Sequence, residues 1–385
     1  MQIIQPPPLS LYIHIPWCVK KCPYCDFNSH EAKGSLPQDL YVAALMQELD
    51  DHLALIQHRP LVSIFFGGGT PSLFSASAIE QILAGVAKRV GIQPTTEITL
   101  EANPGTIDQV RFRDFKTAGI NRLSLGIQSL QDDKLKTLGR IHDRDNAIRA
   151  IEIAKASGFD NFNLDIMYGL PHQTIADALH DIALALSFNP THFSWYQLTI
   201  EPNTLFYHQT PPLPADDFIW DMQLAGQALI AQHGFDQYEV SAYSLPNKEC
   251  RHNKNYWEFG DYLGIGAGAH SKMTDHATSQ IVRFSQVKNP RDYLDKHKRS
   301  QITYNTVSDN DLIFEFMLNA LRLTNGVPAE LLTQRIGLKL DCIQPIINEA
   351  VKRGLLLDDA NRICPSDLGK KFLNDLVGMF LVETC

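Results

Sequence analysis

Several things are missing from this sequence, and each absence narrows the answer. No stretch approaches the roughly 20 apolar residues that a membrane helix needs. The opening, MQIIQPPPLS, lacks a basic segment followed by an apolar one, so a cytoplasmic protein is expected. Cysteine is scarce, seven in 385 residues, and an odd, sparse set speaks against a disulfide framework and for a reducing compartment. Low-complexity tracts and long charge blocks are absent, which excludes a disordered tail of that kind. Basic excess is absent too. With 34 Lys and Arg against 43 Asp and Glu, the formal charge of -9 argues against an extended nucleic-acid surface.

What is present is an alternation of short β-rich runs with longer helical patterns. The runs begin at Leu9, Leu61, Thr96, Arg122, Asn161 and His192, and between them lie segments such as QDLYVAALMQELDDHLALI and DNAIRAIEIAKASGF. Apolar residues recur there at three and four, the helical period. Six β-then-α units predict a parallel sheet with helices outside, an open partial barrel short of the full eight-fold one. In barrel-like folds the chemistry sits at the C-terminal ends of the strands. Those ends carry FFGGGTPS, LEANPG, GIQS and LDIMYGLP, so Gly67 to Gly69, Glu101, Gln128 and Asp165 are expected around one mouth.

Singly, these residues have plain readings. A glycine run makes a tight strand-to-helix turn, and no Gly-Lys-Ser/Thr follows it as in a phosphate-binding loop. GIGAG at Gly264 to Gly268 lacks the spacing of a dinucleotide fingerprint. Glu101 or Asp165 could cap a following helix. The cysteines are more specific. Cys18, Cys22 and Cys25 are spaced C-x3-C-x2-C directly after the first apolar run, more than two hundred residues from the other four. A structural zinc site wants four ligands, which His14 or His30 could complete. An iron-sulfur cubane held by three thiolates leaves one iron open to a small molecule.

The cysteine motif, with aromatic Tyr24 before its last cysteine, resembles the signature of the radical S-adenosylmethionine (SAM) superfamily. YIHIPWC, KCPYCDFN, GGGTPS, EANPG, GIQS, LGRIH and DIMYGLP together resemble the branch containing oxygen-independent coproporphyrinogen III dehydrogenase and its heme-chaperone relatives. The resemblance implies a partial (β/α)6 TIM-like barrel and a 4Fe-4S cluster on Cys18, Cys22 and Cys25. It also implies SAM contacts from Gly68, Gly69, Thr70 and Glu101, with Tyr12, Tyr24, Gln128, Arg140 and Asp165 at further SAM-contact positions. Two departures separate the relatives. The dehydrogenase continues its motif to a fourth cysteine, where this chain has Phe27, and it carries a longer segment before the motif. In the other direction, HNKNYW at His252 to Trp257 matches the H-N-x-x-Y-W motif associated with heme binding in the chaperone branch. On its own residues, His252 beside Tyr256 and Trp257 is equally a packed core histidine.

The division expected is 1–240 for the barrel core, 241–304 for the heme-motif segment and connection, and 305–385 for a smaller winged-helix-like domain. Its wing is expected in LLLDDANRIC, turning at Asp-Ala-Asn, before one last helix in SDLGKKFLNDLVGMFL. Acidic residues outnumber basic ones from Asn305 onward, against DNA binding. The reading is a radical-SAM-type protein that binds a 4Fe-4S cluster, SAM and heme and delivers heme to acceptor hemoproteins, with an electron donor to the cluster. The alternatives are the decarboxylating dehydrogenase and a zinc-stabilised binding module. An open cluster is compatible with a homodimer.

Overall fold

The apolar runs become strands because each has one face to bury beneath a helix. A computed structural model describes residues 6–106, 108–275 and 277–381. Strands β1 (Leu9–Ile15), β2 (Leu61–Gly68), β3 (Glu97–Ala102), β4 (Arg122–Gln128), β5 (Phe162–Tyr168) and β6 (His192–Gln197) lie side by side, and every neighbouring pair is parallel. Helices α1 (Gln38–Asp51), α2 (Ala76–Arg89), α3 (Gln109–Thr117), α4 (Arg144–Ala156), α5 (Ile175–Ser187) and α6 (Asp216–Gln232) follow them in turn. Side chains capping the free N-H groups start four of these helices, at Ser75, Asp108, Asp143 and Thr174. The helical pattern read through to Ile56 breaks at His52, whose ring bonds back to the Glu48 carbonyl and stacks on Phe284.

The sheet does not stop at six strands. β7 (Asp236–Glu239) and β8 (Ala242–Ser244) extend it antiparallel beyond β6. On the other side β9 (Asp261–Ile265) pairs parallel with β1, followed by β10 (His270–Asp275), β11 (Gln280–Ser285) and β12 (Asn305–Thr306). The result is one twelve-stranded sheet, so residues 241–304 contribute strands to it. Between β8 and β9 lies α7 (Arg251–Trp257), which carries the H-N-x-x-Y-W motif. Alternation along the strands puts Leu9, Leu11 and Ile13 under the helices, while Ser10 and Ser63 meet inside the curve.

The C-terminal region builds a second core around Phe316, Leu332, Ile343 and Phe380. It comprises α8 (Asp309–Ala320), α9 (Glu330–Ile336), α10 (Gln344–Lys352), α11 (Asp367–Lys371) and α12 (Leu373–Gly378). The expected wing turn is there, with Leu357 N-H donating to the Cys364 carbonyl. Its returning strand, Arg362–Ile363, nonetheless forms its ladder with Val327–Pro328. The last helix is two, because Phe372 leaves helical geometry at φ -110, ψ 43. Among the described residues, no helix is long and apolar enough to cross a membrane.

Candidate functional site

The cysteine loop leaves β1 at the mouth of the curved sheet and is held from two sides. Gly69 N-H donates to the Ile15 carbonyl at 2.8 Å and Thr70 N-H to the Trp17 carbonyl at 2.7 Å. This approach is so close that a Cβ on Gly69 would lie 2.4 Å from the Trp17 carbonyl oxygen. Gly68 has φ +114, and a Cβ there would meet the His14 ring at 2.6 Å. On the other side Asn28 Nδ2 donates to the carbonyls of Ala267 and Lys288, both at 2.9 Å. A Cβ on Gly268 would lie 2.3 Å from that nitrogen. GIGAG is therefore the platform on which the cysteine loop rests. Glycine there admits a neighbouring side chain.

All three motif thiols line one cavity of about 450 Å³ and are free of disulfides. Burial pushes the Cys18 and Cys25 thiols up, and Cys25 lies 3.9 Å from the Ser29 hydroxyl. Cys22 Sγ is 3.7 Å from Arg140 Nη1. Among the described residues, no three His, Cys, Asp or Glu side chains are grouped so as to hold one metal ion. A zinc site requires convergence on a single ion. A cubane instead takes its thiolates on separate irons, and the loop's donor set fits that demand.

The rest of the wall is a network. Arg140 Nη2 donates to Asn103 Oδ1 at 2.8 Å and to the Gly126 carbonyl at 2.7 Å, while its Nε is buried without a partner. Asn103 in turn donates to Thr70 Oγ1 at 2.8 Å. Tyr24 also lines the cavity, its hydroxyl pushed up by burial and its ring near Phe206. Gln128 sits at φ +69, where the β4–β5 register shifts, and accepts from Tyr196 Oη at 2.8 Å. A left-handed conformation at a non-glycine residue marks a position held by its surroundings. Glu101 is pushed up to about 8, first by burial and then by Asp165. Burial also raises Asp165, against hydrogen bonds from Asn163 and Ser124.

Tyr12 and His252 lie elsewhere. Beneath the first cavity is an inner chamber of about 230 Å³, and Tyr12, Phe65, His252 and Tyr256 belong to its wall. Helix α7 closes that end: Asn255 Nδ2 donates to Ser10 Oγ and to the Asp261 carbonyl. The His252 ring stacks on Phe65 at 4.8 Å, with Nδ1 2.9 Å from Ser63 Oγ and Nε2 3.0 Å from Tyr256 Oη. Since Ser63 donates to Ser10, the consistent assignment puts the proton on Nδ1 and has Nε2 accept from Tyr256. Burial pushes this histidine down to about 3. Tyr12 joins the two levels, because its hydroxyl bonds His14 Nδ1 at 2.9 Å and His14 Nε2 bonds the Asn28 carbonyl at 2.8 Å.

Comparison with known proteins follows the same outline. Residues 12–185 match the family model described as Radical SAM superfamily, and residues 307–372 match the HemN C-terminal domain. The chain is 48% identical over 383 residues to the Heme chaperone HemW of Haemophilus influenzae, covering 98% of this chain and 99% of that one. With the protein of the same name from Escherichia coli it shares 47% over 382 residues, covering 99% and 100%. The chain belongs to the HemW family of radical SAM proteins. A Bacillus subtilis HemW is 34% identical across 97% of this chain and 99% of its own length. Among solved structures, coproporphyrinogen III oxidase (HemN) from Escherichia coli superposes with a TM-score of 0.81 at 22% identity, covering 97% of this chain and 90% of that one. That likeness shows a shared fold, a partial barrel with a smaller C-terminal domain. Membership in the HemW family brings with it the 4Fe-4S and SAM binding typical of the superfamily.

Sequence reasoning missed three contributors. Asn103 lay inside EANPG, and Asn28 at the end of KCPYCDFN, without a chemical signature of their own. Tyr196 was the inward residue near the end of a strand that had been read correctly.

Proposed function

We propose that this chain is a cytoplasmic heme chaperone that holds a 4Fe-4S cluster on Cys18, Cys22 and Cys25 and passes heme to acceptor hemoproteins. The observation that carries the proposal is similarity along the whole chain, 47 to 48% identity, to relatives named Heme chaperone HemW. Whole-length likeness to the dehydrogenase is at 22% identity. Phe27, at the position of that enzyme's extra cysteine, is 58% exposed.

When bound, the cluster supplies an electron and SAM a cleavable sulfonium. The chain's own residues do the rest. Arg140, fixed by Asn103 and Gly126, offers its guanidinium beside Cys22 and within reach of a carboxylate. Glu101 and Asp165, with raised proton affinity, present hydroxyl acceptors or a shared proton on the cavity floor. Gly68, Gly69 and Thr70 form the wall next to the cysteines, and Tyr24 and Gln128 close it. Tyr12 supports that wall from below through His14. An external reductase or small electron carrier would serve the cluster.

In this arrangement the His252 lone pair is taken by Tyr256. Ligation of heme by His252 therefore requires Nε2 to leave that hydroxyl and α7 to open. The proposal is tested by anaerobic reconstitution, heme titration, and an assay with coproporphyrinogen III, SAM and reductant. Stoichiometric heme uptake without carbon dioxide release is expected. Release of carbon dioxide with a vinyl porphyrinogen would establish the dehydrogenase instead.

A further inference from the structure

Barrel interiors are ordinarily filled by branched apolar side chains. The inner chamber here is walled largely by polar ones, and Arg122 begins β4 at its deep end. Its side chain is 2% exposed, its Nε has no hydrogen-bond partner, and its one ion-pair contact among the described residues is Glu97 at 4.0 Å. Among the described residues, no hydrogen bond reaches its guanidinium. Most neighbouring acceptors are engaged elsewhere, and Glu97 Oε2 stops 4.0 Å short of Nε. Glu97 Oε1 receives Cys250 Sγ at 3.6 Å and His252 N-H at 3.3 Å. Asp165 receives Ser124 and Asn163, and His192 is bonded at both nitrogens, to Asn163 and Tyr238. A buried guanidinium with unsatisfied donors is a fork shaped for two carboxylate oxygens.

We propose that the inner chamber is a carboxylate-binding site with Arg122 as its anchor. A volume of about 230 Å³ equals roughly eight waters at about 30 Å³ each, which suits a short organic acid or one carboxylate arm of a larger molecule. Access exists from above. Glu101, Ser124, Asp165, Ser194 and Asn253 line both this chamber and the cysteine cavity. A free acid or a heme propionate presents the same group, and only the heme source rests on the chaperone reading.

The test uses anaerobically reconstituted full-length protein in two arms. In the first, sodium propionate is titrated against sodium chloride of equal ionic strength, followed by calorimetry. In the second, heme is compared with heme dimethyl ester by absorbance. Saturable propionate binding that weakens at least tenfold in Arg122→Gln, with partial recovery in Arg122→Lys, assigns a free acid. Preference for heme over its ester, abolished by Arg122→Gln, assigns the propionate arm. A wild type that binds propionate but no heme keeps the site and defeats the chaperone reading. Binding unaltered by both substitutions, or no carboxylate binding in either arm, overturns the site. If the variants do not fold, a crystal structure of the wild type grown in propionate decides. Carboxylate density within hydrogen-bond distance of the Arg122 guanidinium supports the site, and water alone there refutes it.

Discussion

Replacing Gly69 by Ala should unseat the cysteine loop. The new Cβ would stand 2.4 Å from the Trp17 carbonyl oxygen and 2.6 Å from its carbon, and both are backbone atoms that no rotamer change can move. Relief requires separating β2's end from the loop, which strains or breaks the bonds from Gly69 to Ile15 and from Thr70 to Trp17. Overpacking costs about 1–3 kcal/mol, and each hydrogen bond contributes about 0.5–1.5 kcal/mol. A loss of about 2–6 kcal/mol follows when overpacking and both bonds are taken together. At about 2.1 cal/mol/K of unfolding entropy per residue, a chain of this size should lose about 3–7 °C in Tm. Because the displaced segment carries Cys18, iron per chain after reconstitution should fall by more than half. Gly91→Ala is the control: its φ is +87 but a Cβ there meets nothing within 4 Å, so it carries only the backbone strain of about 1–2 kcal/mol. Scanning calorimetry, iron analysis and EPR on the three proteins suffice. Full cluster occupancy and an unchanged Tm in Gly69→Ala would refute the argument from close approach.

Asn28→Ala removes both side-chain bonds to the Ala267 and Lys288 carbonyls. It should cost about 1–3 kcal/mol and speed loss of iron to a chelator, read as a bleaching rate. Glu101 should give a pH signature. Its folded value of about 8 lies above the ordinary 4.5, so the folded state keeps a proton that the unfolded state releases between them. Stability therefore falls as pH rises through that window and levels off above it. Glu101→Gln should flatten that slope in urea melts at pH 5, 7 and 9, while Glu48, raised to about 7, retains its own smaller share. His252→Phe keeps the stacking on Phe65 but removes both polar contacts. Heme affinity should fall at least tenfold with iron content intact, and equal heme affinity would remove His252 from the proposal.

The strands were legible because each pairs an apolar face with a polar one. Leu9, Leu11 and Ile13 mark one face of β1, and Ser10, Tyr12 and His14 the other. The cysteine loop announced itself by spacing, and its location by following a strand. The flanking strands were harder. β8 has three residues and β12 two, too few for a period to show. The roles of Gly266 and Gly268 were invisible, because the close neighbours a Cβ would meet, the His14 carbonyl and Asn28, are more than two hundred residues away in sequence. Arg122 was read only as the start of an apolar run. Nothing local marks a charge that the fold turns inward.

The most direct test of the chaperone account is transfer. The reconstituted protein is loaded with one equivalent of heme, freed of excess, and mixed anaerobically with a heme-free acceptor hemoprotein. The acceptor's absorbance and activity are then followed. The account predicts that heme leaves this chain and restores the acceptor, and that the Cys22→Ala variant, lacking a complete cluster, transfers more slowly. Heme that stays bound, or reaches the acceptor no faster than free heme does, would contradict it.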